Sequence, residues 1–162
     1  KEEFAAQTVV EAEAASAPGK LVIKDRIADA MFQEALIRPE QYSVLATPNL
    51  NGDYISDALA AQVGGLGLAP GVNMSEKLAF FEATHGTARA SPGRTGPTPA
   101  ASSLSGALML EHIGWKEAAT RIYKAVNTAI ARRAVTEDLA AQMTDARTVG
   151  CTEFGEIITK LL

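Results

Sequence analysis

Short apolar runs of strand length alternate along this chain with longer stretches of helical pattern, and few folds accept that alternation. Leu21-Val22-Ile23 is the first run and Tyr42-Ser43-Val44-Leu45-Ala46 the second. The third, 78–83, is apolar with two phenylalanines and reads as a buried strand. Residues 1–15 are rich in Ala and Glu without Gly or Pro, which predicts a helix. The spacing predicts another over 25–37, stopped before Pro39. A third runs over 53–63, with Ile55, Leu59 and Val63 as its apolar stripe. Residues 101–113 are apolar on nearly all sides and predict a buried helix ended by Gly114. Residues 116–132 are amphipathic, with Ala119, Ile122, Val126, Ala129 and Ile130 on one face. Short helices over 137–143 and 153–161 complete an α/β chain.

Turn chemistry separates these elements. Ser16-Ala17-Pro18-Gly19 and Thr47-Pro48 are breaks, and 89–99 holds three prolines and two glycines, a surface loop. The glycine-rich stretch from Gly64 to Gly71 marks a domain boundary, giving segments 1–63 and 64–162.

A net charge of −4 argues against a nucleic-acid partner, which would show a basic stripe. No apolar run reaches the length of a membrane span. Cys151 is the single cysteine, so the chain has neither an internal disulfide nor a cysteine metal site. That fits a reducing compartment, and the expected location is cytoplasmic. The chain starts Lys1-Glu2-Glu3-Phe4, without initiator Met or apolar leader, and reads as a cut inside a longer chain.

Three features bear on chemistry. Asp53 and Asp57 stand four apart on a helix, so their like charges lie side by side. A hard divalent cation such as Mg²⁺ or Mn²⁺ neutralises such a pair. The plainer reading is that Asp53 caps the helix and Asp57 is solvated. Asp25 and Asp29 open the preceding helix, where acids complement the helix dipole, and carry no signal alone. His85 follows the third strand, with Gly86 for close approach and Thr87 for a hydroxyl, at the kind of strand end where α/β sheets bind ligands. The plainer reading is a histidine satisfied by backbone. Gly64-Gly65-Leu66-Gly67 matches neither dinucleotide nor phosphate-loop fingerprint. His112 reads as structural, and Trp115 and Phe80-Phe81 as core.

Several blocks together carry a resemblance. They are Val22-Ile23-Lys24-Asp25-Arg26-Ile27-Ala28-Asp29-Ala30, then Asn49-Leu50-Asn51-Gly52-Asp53-Tyr54-Ile55-Ser56-Asp57 continuing to Gly65, then Phe81-Glu82-Ala83-Thr84-His85-Gly86-Thr87-Ala88. Leu110-Glu111-His112-Ile113-Gly114-Trp115 and Glu153-Phe154-Gly155 follow in order. In order and separation they resemble the bacterial isocitrate dehydrogenases, within the wider β-decarboxylating dehydrogenase family of isopropylmalate and homoisocitrate enzymes. The Asn-Leu-Asn-Gly-Asp-Tyr block favours isocitrate.

The resemblance implies a partial fold: the end of the small domain, which builds the dimer and metal site, and the C-terminal half of the large, cofactor-binding domain. It implies metal-dependent oxidation and decarboxylation of isocitrate to 2-oxoglutarate, with reduction of NAD or NADP, by a homodimer. Asp53 and Asp57 match its metal ligands, and Asp29 a third that reaches into the neighbouring subunit's site. His85, Gly86, Thr87 and Ala88 match the start of the adenosine loop, and Glu82 an acid on the nicotinamide side. The catalytic Tyr and Lys and the substrate-binding Ser and Arg residues lie upstream of this chain. Its phosphate-gripping Lys-Tyr pair is replaced by Ala90-Ser91, its Asn by Thr98, and its later Tyr and Arg by Glu137 and Ala141. Glu137 would repel a 2′-phosphate and could accept from a ribose hydroxyl, so the expectation leans to NAD, with Arg89 and Arg94 as possible substitutes for a phosphate grip. The isolated chain is expected to be inactive and to need the missing N-terminal segment. The alternatives are an isopropylmalate-type paralogue and a truncated, non-catalytic binding or assembly relative.

Overall fold

The structure, a computed structural model, describes residues 3–86 and 99–162. The chain forms two compact units, Lys1–Gly52 and Asp53–Leu162. Helix α2 (Asn49–Gln62) crosses that division, and the sequence-based boundary after residue 63 lies just past its end.

In the first unit, β1 (Thr8–Val10) pairs in parallel with β2 (Leu21–Ile23), Val9 opposite Val22. A 3-10 helix, Glu11–Ser16, and Gly19 at φ +85° return the chain between them. The helix expected over 1–15 is therefore absent. Thr8, Val9 and Val10 are β-branched, stiff at χ1 and suited to a pleated strand, and β2 supplies the backbone partners. Helix α1 (Ala28–Ile37) starts three residues later than its pattern suggested and buries Met31 and Ala35. Arg26 ties these pieces together. Its guanidinium donates to both carboxylate oxygens of Glu11 at 2.8 Å, and its Nε to Glu34 at 3.3 Å and the Tyr42 hydroxyl at 3.1 Å. The hydrogen bond from Arg26 holds the Glu11 carboxyl below its ordinary value. Glu11 thus favours the fold above the ordinary carboxylate range, and the contribution fades as pH falls through the lowered value. The strand expected at 42–46 does not form. A strand needs a neighbour for its amides and carbonyls; none pairs with this run among the described residues, and Val44 is exposed.

The second unit is layered. Strands β3 (Pro70–Met74) and β4 (Ala79–Ala83) form an antiparallel hairpin whose inner face lies on α3 (Ala100–His112). On its other side α3 packs against α4 (Lys116–Ala131), and α4 packs on α6 (Cys151–Thr159). The parallel pair β5 (Ala134–Val135) and β6 (Arg147–Thr148), with the short α5 (Glu137–Ala140), fills the remaining corner. The core gathers Ala125, Val126, Ala129, Val135, Leu139, Val149, Phe154 and Ile158. The face expected on α4 is the one buried, with Ile122 and Ile130 at its margin. Gly114, at φ +89°, ends α3 as expected.

Other expectations fail in a consistent direction. The 78–83 run is half-buried rather than buried: Ala79, Phe81 and Ala83 turn inward, while Phe80 and Leu78 are exposed. Only one face of a hairpin can lie on one helix. Trp115 is likewise exposed, and α3, covered by the hairpin and by α4, still leaves Met109 and Ile113 in solvent. The stretch 64–71, read as a break, runs at Pro70 into β3, which the Gly and Pro content concealed. Among the described residues no helix is long and apolar enough to cross a membrane.

Phe154 is wholly buried at the centre of this core. Phe154→Ala is expected to lower the unfolding free energy by about 3–5 kcal/mol, through lost transfer energy and a cavity. Denaturant unfolding checks it, and a loss under about 1 kcal/mol would remove Phe154 from the centre of the argument.

Candidate functional site

The β3–β4 hairpin shapes a shallow, open concavity. Gly71, Asn73, Glu82, Thr84, His85 and Gly86 line it. Gly71 is required there, because an added Cβ would lie 2.9 Å from the Glu82 carbonyl oxygen and 3.0 Å from Thr84 Cγ2. The Asn73 amide donates to a Glu82 carboxylate oxygen at 3.1 Å, fixing that acid across the strands. The Thr84 hydroxyl donates to the Ala69 carbonyl at 3.2 Å. His85 follows β4 with Nδ1 3.0 Å from its neighbour's carbonyl, Gly86 O. Its Nε2 is buried and has no hydrogen-bond partner among the described residues. The backbone-satisfied histidine of the plainer reading thus accounts for one ring nitrogen and leaves the other without a partner among the described residues.

His112 has the structural role expected. Its ring lies 5.7 Å from that of Phe81, tilted, and fastens the end of α3 to β4. Of the other expected cofactor positions, Thr87, Ala88 and Thr98 lie outside the described residues, as do Arg89, Ala90, Ser91 and Arg94. Glu137 and Ala141 are exposed, at the start and just past the end of α5.

The second candidate region is helix α2. The helix begins at Asn49, so Asp53 stands in its second turn and is not its cap. That removes the plainer reading of Asp53. A spacing of four on a continuous helix leaves Asp53 and Asp57 about 40° apart around the axis, on one face. Both are exposed. Gly52 earns its place by proximity: a Cβ there would lie 2.6 Å from Thr47 Oγ1. Asp29 is exposed in the first turn of α1 and accepts from the Ala30 amide at 2.6 Å. Among the described residues no three His, Cys, Asp or Glu side chains gather closely enough to hold a metal by themselves. Two carboxylates on one helical face remain a donor set suited to a hard cation that takes its other ligands elsewhere.

Sequence reasoning missed Asn73 and the whole of β3. The available signal was the pair of short runs flanking Ser75-Glu76-Lys77, a hairpin spacing.

Known proteins give this geometry its context. The sequence profile described as "Isocitrate/isopropylmalate dehydrogenase" matches residues 2–158. The chain is 54% identical, over 84% of its length, to isocitrate dehydrogenase [NADP] from Pseudomonas aeruginosa, and 52% identical, over 87%, to that from Coxiella burnetii. It covers 32% and 33% of those proteins, so it spans about a third of the curated relatives it matches. Among solved structures, isocitrate dehydrogenase from Methylococcus capsulatus superposes with a TM-score of 0.78 at 40% identity, covering 93% of this chain and 43% of that one. The relatives' names specify NADP, which leaves the lean to NAD without support. Profile, identity and fold agree that the chain belongs to the isocitrate/isopropylmalate dehydrogenase family.

Proposed function

We propose that this chain is the C-terminal portion of an NADP-dependent isocitrate dehydrogenase and contributes part of the cofactor pocket and of the metal site. The observation that carries the reading is His85, which lines a pocket with the held acid Glu82 and whose buried Nε2 has no partner among the described residues. A strand end with an unpartnered ring nitrogen and a glycine beside it suits an adenosine: Nδ1 donates to the Gly86 carbonyl, so Nε2 of the neutral ring is left to accept, and an adenine amine is a donor with a flat face beside it. Relatives named for isocitrate, at about half identity, favour that substrate over the isopropylmalate alternative.

Within this reading His85 and the backbone around Gly86 orient the adenosine end, and Glu82, held by Asn73, fixes one wall of the pocket. Thr87, Ala88 and Thr98 continue the cofactor loop. Asp53 and Asp57 hold Mg²⁺ or Mn²⁺ on the exposed face of α2, with Asp29 contributed from a second copy in a homodimer. A divalent cation there supplies Lewis-acid stabilisation of negative charge on the substrate oxygens. The acid, base and substrate clamps belong to the remaining two-thirds of the enzyme, so this chain alone does not complete the site.

Three outcomes test the reading. In the complete enzyme, Asp57→Asn weakens Mn²⁺ binding by about tenfold or more, since a hard-cation site loses a charged oxygen ligand. An unchanged metal affinity would move the metal elsewhere. The ratio of kcat/KM for the two cofactors favours NADP by about tenfold or more, equivalent to ~1.4 kcal/mol. A preference for NAD of that size would overturn the cofactor assignment. The purified 162-residue chain gives no isocitrate-dependent reduction of either cofactor. Steady turnover by that chain would show that the missing segments are dispensable.

A further inference from the structure

We infer that Ser105 is a positioning residue for the cofactor pocket, its buried hydroxyl clamping the two strands that form the pocket wall. The inference rests on the reading of that pocket as the NADP site.

Ser105 sits on α3 at 2% exposure, on the face that carries the wholly buried Ala101. A serine inside a helix usually satisfies itself by donating to the carbonyl four residues back. That acceptor is present: Ala101 O lies 2.8 Å from Ser105 Oγ. The hydroxyl nevertheless reaches beyond its own helix. It lies 2.7 Å from the Glu82 carbonyl, a second acceptor, and accepts from the Gly71 amide at 3.3 Å. A hydroxyl has one hydrogen and two lone pairs, so the two carbonyls compete for it while the Gly71 amide uses a lone pair. Gly71 and Glu82 are register partners across β3 and β4, and both line the pocket.

A single oxygen therefore grips a cross-strand pair from behind. The grip is tight because the absent Cβ of Gly71 would collide with the same Glu82 carbonyl at 2.9 Å. Glu82 is held twice, its backbone by Ser105 and its carboxylate by Asn73 at 3.1 Å. His85 lies three residues further along the same chain, so a shift of the Glu82 backbone carries the ring with it.

The test is made in the complete enzyme by titrating NADP⁺ without isocitrate and, separately, by steady-state kinetics. Ser105→Ala is expected to weaken NADP⁺ binding about tenfold and to raise the KM for NADP⁺ while the KM for isocitrate holds, and Ser105→Thr, which keeps the hydroxyl, to restore most of the affinity. A purely packing role would lower Tm and leave the Kd for NADP⁺ unchanged, and that result overturns the inference. If Ser105→Ala does not fold, Ser105→Cys replaces it: the shape is close and the S–H is a weak donor. A Kd for NADP⁺ equal to that of the unaltered enzyme would again overturn the proposal. An enzyme that binds NADP⁺ in this Ser105-dependent way but does not oxidise isocitrate would sink the isocitrate reading and leave this inference standing. One that does not bind NADP⁺ at all ends both.

Discussion

Close packing of small side chains along α3 and α4 is the constraint from which the larger unit takes its arrangement. Ala100, Ala101 and Ala107 on α3, and Ala119, Ala125 and Ala129 on α4, are buried to within 1% of completely. Alanine loses no side-chain entropy on burial and lets helix backbones approach closely. The two helices can then share a surface while α3 keeps a second face for the β3–β4 hairpin. Bulkier residues on both sides of α3 would force a choice between the two neighbours. Phe154, Val126 and Val135 supply the volume that the alanines do not, and they do so on the far side of α4, where the short β5–β6 pair and α6 close the core.

What the sequence made legible follows from how local each cause is. Helices α1, α2, α3, α4 and α6 announce themselves by periodicity and by their breakers, Pro39, the Gly64-Gly65 pair and Gly114, and each forms within a few residues of its expected place. Strands depend on partners far along the chain, and there the reading was weaker. Thr8-Val9-Val10 looked like part of an Ala- and Glu-rich helix until β2 offered it a ladder. Tyr42–Ala46 has the right residues for a strand and finds no neighbour among the described ones. Phe80 and Trp115 were assigned to a core from their size, yet size sets only what burial would gain, and the surface to bury against has to exist.

The candidate sites divide in the same way. The carboxylate pair of α2 was legible because helical spacing alone puts Asp53 and Asp57 on one face; its cap-versus-ligand ambiguity needed the helix start, which moved four residues upstream to Asn49. His85 was legible from its place after an apolar run. Asn73 and Ser105 were not, because an asparagine in a strand and a serine in an apolar helix are unremarkable as residues. Their meaning comes from contacts with Glu82, nine and twenty-three positions away. The lean to NAD, drawn from single positions such as Glu137 and Ala141, finds no support in relatives named for NADP; a phosphate grip is a property of several side chains converging in space.

Stability and chemistry are also distributed unequally along the chain. Among the described residues, the cluster around Phe154 is drawn from residues 100–161 with Leu68 alone added from outside, so its energy is local to one stretch. The pocket belongs to a hairpin that meets this core chiefly through α3, and whose outer face exposes Phe80. Apolar contact between Phe81, Ala83 and α3 holds the hairpin against the helix but sets its position along the axis loosely, since hydrophobic attraction has no direction. Hydrogen bonds do have direction. The one buried polar side chain of α3 supplies it at the point where the concavity begins, which lets a core built for packing also hold the two strands of the hairpin together.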